Sequence, residues 1–363
     1  MKSDFSYVDH LMKEGVERGI FPGAVLLAAA RGAVVWHQAY GMADLFNNRP
    51  MHCDTVFDLA SLTKPLATTL AVMLLVQQGR LVLDRPCYDY WPRFLGNGKE
   101  RISIRHLLSH TSGLPAWRPY YLRLMYTPTE QRGDLVRQWA LDEPLGAVPG
   151  ERAEYSDIGF MVLQWIVERI TGERLDRFWA AAIAKPLSPG SLFFSDQGRP
   201  STGHTFAATE LCPWRGRLLV GEVHDDNAYV LGGVAGHAGL FGTAHAVWSL
   251  LQGVLSAEQG RTCHALFDRT VLNTFFQRQF DTTWALGFDT RDERGSSSGS
   301  HFSKGSVGHL GFTGTSFWMD RQRDIVLILL TNRVHPSRYS TGIKEFRPKL
   351  HDAVMSAIQG GRP

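Results

Sequence analysis

Phe57-Asp58-Leu59-Ala60-Ser61-Leu62-Thr63-Lys64 runs straight into an apolar stretch that ends at Gln78. Leu62, Leu66, Leu70, Met73 and Leu74 recur at helical spacing, and Gly79 stops the pattern. Pro65 fits only the first turn of such a helix, where its missing N–H is not needed. The helix therefore starts close to Ser61. A Ser and a Lys three residues apart then share one face. The Ser61 N–H falls among the unpaired donors of the helix N-terminus. A hydroxyl, an amine one turn on and a free N–H are the parts of a nucleophile, a base and half an oxyanion hole. They are equally the parts of a helix cap followed by a surface lysine. Of the eight Lys, only Lys64 follows a Ser by three positions.

Toward the N-terminus, residues 4–18 read as a helix. Residues 23–30 and 33–40 read as two strands joined at Arg31-Gly32. Toward the C-terminus, residues 81–100 are rich in turn formers, and 104–110 form a short helix stopped by Thr111-Ser112-Gly113. Helical patterns follow at 129–141, 157–171, 173–184, 243–256 and 267–277. Residues 186–242 hold many Gly and Pro, and Gly233, Gly236, Gly239 and Gly242 recur every third residue. No phosphate-binding G-x-x-x-x-G-K-[ST] is present, so a tight loop packed close to a neighbour is expected there. Strands return at 306–312, 314–320 and 325–332, and a last helix at roughly 340–359. Strands at both ends and helices between them spell an α+β fold: an antiparallel sheet flanked by terminal helices, with an all-helical domain inserted. The expected division is 1–60 with about 280–363 for the sheet domain, and about 61–279 for the helical one. The site would lie at their boundary.

The bulk properties remove several function classes. The 363 residues are 44% hydrophobic and 20% charged, with a net charge of +3. So small a charge argues against a nucleic-acid partner or a polybasic membrane surface. The four Cys are far apart, and none of the fourteen His sits in a metal-binding motif. Reduced thiols, no metal and no cofactor are expected. No run approaches eighteen apolar residues, so no membrane span is expected. The first residues show no secretory leader, which reads as a cytoplasmic protein. The oligomeric state is open.

Two further clusters carry possible chemistry. In Pro149-Gly150-Glu151-Arg152-Ala153-Glu154-Tyr155-Ser156-Asp157, Ser156 or Asp157 caps the helix that follows, or Tyr155 is a proton carrier and Asp157 faces a cleft. A phenol acts as a base only where neighbouring positive charge lowers its pKa, and Lys64 is the candidate source. In Gly308-His309-Leu310-Gly311-Phe312-Thr313-Gly314-Thr315-Ser316, a Gly-rich edge strand holds a buried His, or it lines a cleft. In the second case Gly311 lets substrate approach the backbone, the Phe312 N–H is a second oxyanion donor, and His309 titrates near neutral pH.

Ser61-x-x-Lys64, Tyr155-Ser156-Asp157 and His309-x-Gly311 occur in the order S-x-x-K, Y-x-N, K-T-G. With FDLASLTKPLATT, HLLSHTSGLP, PGERAEYSDIGF, LGGVAGHAGLF and HLGFTGTSFWMD around them, the chain resembles the class C β-lactamase and penicillin-binding-protein-like serine hydrolases from about residue 8 to 357. The resemblance implies a β-lactamase/transpeptidase-like fold and an acyl-enzyme on Ser61. It implies Lys64 as base, Tyr155 sharing the proton work, and the Ser61 and Phe312 N–H groups as oxyanion hole. Asp157, His309 and Gly311 are the expected substrate-binding positions. The chain departs from the pattern at Asp157, usually Asn; at His309, usually Lys; and at Leu310, usually Thr. Those departures weaken the grip on a substrate carboxylate. They point to an ester, amide or peptide bond, with cell-wall peptide fragments among the candidates, and to weak or no β-lactamase activity. The alternative is a penicillin-binding or sensing module that acylates without efficient turnover. The partner expected is a small-molecule or short-peptide substrate.

Overall fold

The computed structural model describes residues 4–187, 190–195, 203–262, 265–293 and 295–360. Its centre is a seven-stranded antiparallel sheet built from both ends of the chain. From edge to edge the strands are Arg49–Pro50, Ala33–Asp44, Gly23–Ala30, Ile325–Thr331, Ser316–Asp320, Val307–Leu310 and Asp289–Thr290. The hairpin turn falls on Arg31 and Gly32, both at positive φ, as the sequence indicated.

Alternation along the two central strands separates two cores. Ala24, Leu26, Ala28, Leu327 and Leu329 face the terminal helices Ser6–Glu17 and Ile343–Gln359. Val25, Leu27, Ala29, Val326, Ile328 and Leu330 face the other way and join the core of the inserted helices. Strands buried on both faces show continuous apolar sequence, which is why Val326-Leu-Ile-Leu-Leu330 has no polar partner residues.

The opening stretch forms one helical run in three geometries: a 3-10 turn at Ala60–Leu62, a π-helical segment at Lys64–Thr69 and an α-helix at Leu70–Gln77. Pro65 sits in the first turn of the π segment. Short π segments inside helices concentrate at functional sites. Ala60–Gln77 is also the one run among the described helices long and apolar enough to cross a membrane. It is 83% buried inside the protein and serves as its core helix. The expectation that no run reaches that length is corrected to this extent.

The inserted region is not all-helical. Besides Thr129–Asp142, Asp157–Thr171, Ala244–Glu258 and Arg269–Phe276, its described residues hold short strands that pair into two small sheets, one of them joined by Phe57–Asp58 from just before it. Phe57–Asp58, Leu240–Gly242 and Leu192–Phe194 make one small sheet, and Ala208–Cys212 with Arg217–Val220 make another. Three-to-five-residue strands among glycines carry no readable periodicity. The glycines do pack closely. A Cβ on Gly236 would stand 2.1 Å from the Phe160 carbonyl oxygen, and one on Gly239, at φ +114, 2.0 Å from that of Gly233. Residues 188–189 and 196–202 of this stretch lie outside the described residues. Cys53, Cys87 and Cys212 are free thiols, and Cys263 also lies outside.

Candidate active site

Ser61 stands directly after Ala60, whose φ is +47. L-residues rarely adopt that conformation, and it is held here by its surroundings. The buried Asp58 carboxylate accepts the Ala60 N–H at 2.8 Å and the His224 N–H at 2.7 Å. From the far side, the Thr313 and Thr315 hydroxyls donate to the carbonyls of Asp58 and Leu59, at 2.8 and 3.0 Å. The turn after the strand Val307–Leu310 is thereby tied to the segment that carries Ser61.

Lys64 is fully buried. Its Nζ donates to Ser61 Oγ at 3.0 Å, to Asp157 Oδ1 at 2.6 Å and to the His237 carbonyl at 3.3 Å. It also lies 4.7 Å from the Tyr155 ring centroid. Burial pulls the Lys64 pKa down, but Asp157 and Tyr155 outweigh it and leave the pKa raised. Lys64 is an ammonium at neutral pH. Burial also raises the Tyr155 phenol, and the Lys64 and Ser61 groups beside it only partly offset that. The expectation that Lys64 makes the phenol a ready base is corrected: Tyr155 rests neutral.

Among the described residues, Asp157, Asp225 and His237 are grouped with ligand-type atoms within 4.8 Å of one another. Lys64 Nζ bonds to two residues of this group, which thus forms a cage around the ammonium. Burial would raise Asp225, but His237, bonded at 3.0 Å, and Lys64 hold its carboxyl well below the usual range.

Ser156 caps the Asp157–Thr171 helix through a hydrogen bond from the Gly159 N–H at 3.0 Å. Its own N–H donates to His110 Nδ1 at 3.0 Å. The buried His110 ring stands 4.6 Å from both Tyr155 and Trp284 and 5.2 Å from Phe160. The HTSG segment therefore does more than stop a helix: His110 backs Tyr155. Trp284, also against Tyr155, had no signal in the sequence because its neighbours come from a distant loop.

His309 does not titrate near neutrality. Burial, then the Lys64 charge, push it down to about 3. Its ring lies against Leu310 O at 2.8 Å, so Nδ1 is the donor, and the buried Nε2 has no partner among the described residues. Gly311 does not line the cavity. A Cβ there would come 2.0 Å from Thr315 Oγ1 and 2.7 Å from the Leu59 carbonyl oxygen. The glycine serves packing against the Ser61 segment, not close approach of substrate. The Phe312 and Ser61 N–H groups have no hydrogen-bond partner among the described residues. Arg333 donates to the Phe312 carbonyl from behind.

Ser61, Tyr155, Asp157, His309 and Phe312 converge on a cavity of about 630 Å³. Trp117 and Trp284 add apolar wall, and Asp225, Asp226 and Asp289 add carboxylates. Among the described residues Arg338 is the one Arg or Lys lining it, and it is already bound by Glu210 and Asp226.

The fold and this cleft define a β-lactamase/transpeptidase-like hydrolase. The chain belongs to the Beta-lactamase family, whose family model matches residues 8–347. It is 34% identical over 365 residues to the N-acetylmuramyl-L-alanine amidase of Bacillus subtilis (strain 168), covering 90% of this chain and 80% of that protein. It is 29% identical over 356 residues to a Salmonella agona (strain SL483) protein provisionally named a D-alanyl-D-alanine carboxypeptidase, covering 90% and 82%. Among solved structures, EstCE1, a hydrolase with promiscuous acyltransferase activity, superposes with a TM-score of 0.74 at 24% identity, covering 96% and 97%. That last likeness is one of fold.

Proposed function

We propose that Ser61 is the acylated nucleophile of a hydrolase cleaving an amide, ester or peptide bond in a small cell-wall-derived substrate. The observation that carries this is the 3.0 Å bond between Lys64 Nζ and Ser61 Oγ at the wall of the cavity. Ser61 Oγ attacks the acyl carbon, and the oxyanion falls to the Ser61 and Phe312 N–H groups. The leaving group departs, and water resolves the acyl-enzyme. Tyr155, a neutral phenol, is placed to protonate the leaving group. The substrate sits where the sheet and the inserted helices meet.

The cavity favours a substrate with no carboxylate beside the scissile bond. His309 is uncharged, Leu310 has no hydroxyl, and Arg338 is already neutralised. The amidase name of the Bacillus subtilis relative is consistent with a muramyl-peptide amide.

A panel of p-nitrophenyl esters, D-amino-acid peptides, muropeptides and nitrocefin, run with Ser61→Ala as blank, tests this reading. Turnover of a muropeptide or peptide amide by wild type alone supports it. Stoichiometric acylation without release would show a binding module, and equal activity of wild type and Ser61→Ala would remove the nucleophile.

A further inference from the structure

Lys64 and Tyr155 both rest protonated, so neither can accept the Ser61 proton as it stands. Among the described residues, the three N–H bonds of Lys64 meet three acceptors, Ser61 Oγ, Asp157 Oδ1 and the His237 carbonyl, with the neutral Tyr155 phenol beside them. An ammonium so satisfied has no lone pair. Before it can act, one proton must leave, and of its three acceptors only the carboxylate can take it.

We propose that Asp157 is the proton acceptor that converts Lys64 from an ammonium into the base for Ser61. This rests on Ser61 being the nucleophile. The proton shared across the 2.6 Å contact passes from Nζ to Asp157. The neutral amine turns about its Cε–Nζ bond, keeps its donor to the His237 carbonyl and points its lone pair at Ser61 Oγ. As Oγ bonds the acyl carbon, its proton moves to Nζ. Lys64 is then an ammonium again, Asp157 is a carboxylic acid, and the carbonyl π electrons lie on the oxyanion. The proton stored on Asp157 then returns through Nζ to Tyr155, replacing the one the phenol gives to the leaving group.

The other charged or titratable groups facing the pair are Tyr155, Asp225, His237, His110 and His309. Asp225 is anchored by His237 and the Ala228 N–H. His110 and His309 have their pKa values pushed down, by burial and then by Lys64. Tyr155 rests neutral. Asp157 has the shortest contact to Nζ and is partly open to the cavity, with 18% of its side chain exposed.

The proposal fixes the sign of a pH shift. If Asp157 takes the Lys64 proton, the reactive form is the ion pair, and activity survives to low pH. In Asp157→Asn, Lys64 must lose its proton to solvent first, so the acid limb moves to higher pH. If Asp157 only anchors Lys64 and the amine must already be neutral, removing the carboxylate makes neutralisation easier, and the limb moves to lower pH.

The test is the pH dependence of phosphonylation by a fluorophosphonate, which isolates attack by Ser61: an Oγ–P bond forms and fluoride leaves. Expected in Asp157→Asn is an acid limb about one pH unit or more above wild type, hence labelling about tenfold or more slower at pH 6. The gap should narrow to about threefold by pH 9.5. A limb that moves down or stays, or a loss equal at every pH, overturns the proposal. Asp157→Glu keeps a carboxylate and should keep the wild-type limb; it decides alone if the Asn variant does not fold, an equal loss across pH again counting against the role. Ser61→Ala is the blank: labelling equal to wild type would remove the nucleophile itself, a failure distinct from that of Asp157.

Discussion

Asp58 accepts the N–H of Ala60 at 2.8 Å, and Ala60 is the residue held at φ +47 immediately before Ser61. The same carboxylate accepts the His224 N–H, so one buried side chain pins the strained backbone to the wall that carries Asp225 and Asp226. Asp58→Ala leaves two buried donors unpaired and releases the strained turn. A stability loss of about 2 to 5 kcal/mol is expected from urea unfolding. Fluorophosphonate labelling of the folded fraction should slow by about tenfold or more, because Ser61 is no longer held in its attacking position.

His309 should show no titration in the physiological range. Its NMR ring signals are expected to stay flat from pH 5.5 to 8, since burial and Lys64 hold it neutral. A transition in that range would contradict the assignment. His309→Lys would add a further cation to the cleft. Acylation by nitrocefin, which carries a carboxylate, should rise about tenfold, while a neutral ester changes by less than about threefold.

Gly311→Ala tests whether that glycine serves packing or substrate approach. The added Cβ meets Thr315 Oγ1 and the Leu59 carbonyl, so a destabilisation of about 2 kcal/mol or more is expected by thermal or urea unfolding. Unchanged stability with only a raised KM would return Gly311 to the substrate.

Asp289 gives stability a pH dependence of defined sign. Burial raises its pKa to about 7 in the folded protein, against about 3.9 unfolded. The native state therefore holds the proton longer. Its contribution to stability falls as pH rises through that interval and is flat above it. Discounted for its partial exposure, the loss at pH 8 is about 1 to 3 kcal/mol. Asp289→Asn should thus unfold at higher urea than wild type at pH 8, with a gap that closes toward pH 4. A gap that widens at low pH would contradict the shift.

Much of this molecule was legible in its sequence because its signals are local. Pro65, the Leu62-to-Leu74 spacing and Gly79 bound the core helix, and the continuously apolar run Val326-Leu-Ile-Leu-Leu330 declares a buried strand. Ser61 and Lys64 could be paired because one helical turn joins them. What stayed hidden depends on contacts made across the chain. The strands at Leu192–Phe194 and Leu240–Gly242 are defined by pairing alone. His110 gains its place behind Tyr155 from a packing of rings drawn from three segments. The charge states of His309, Lys64 and Tyr155 depend on burial and on one another, which residue spacing does not encode. Gly311 was legible as a close approach, but not as an approach of Leu59 and Thr315.

The most direct measurement is mass spectrometry of the intact protein and its peptides after fluorophosphonate treatment and after incubation with a turned-over substrate. A single adduct on the peptide containing Ser61, absent in Ser61→Ala, is the predicted result. An adduct on another residue, or equal labelling and turnover in Ser61→Ala, would contradict the account.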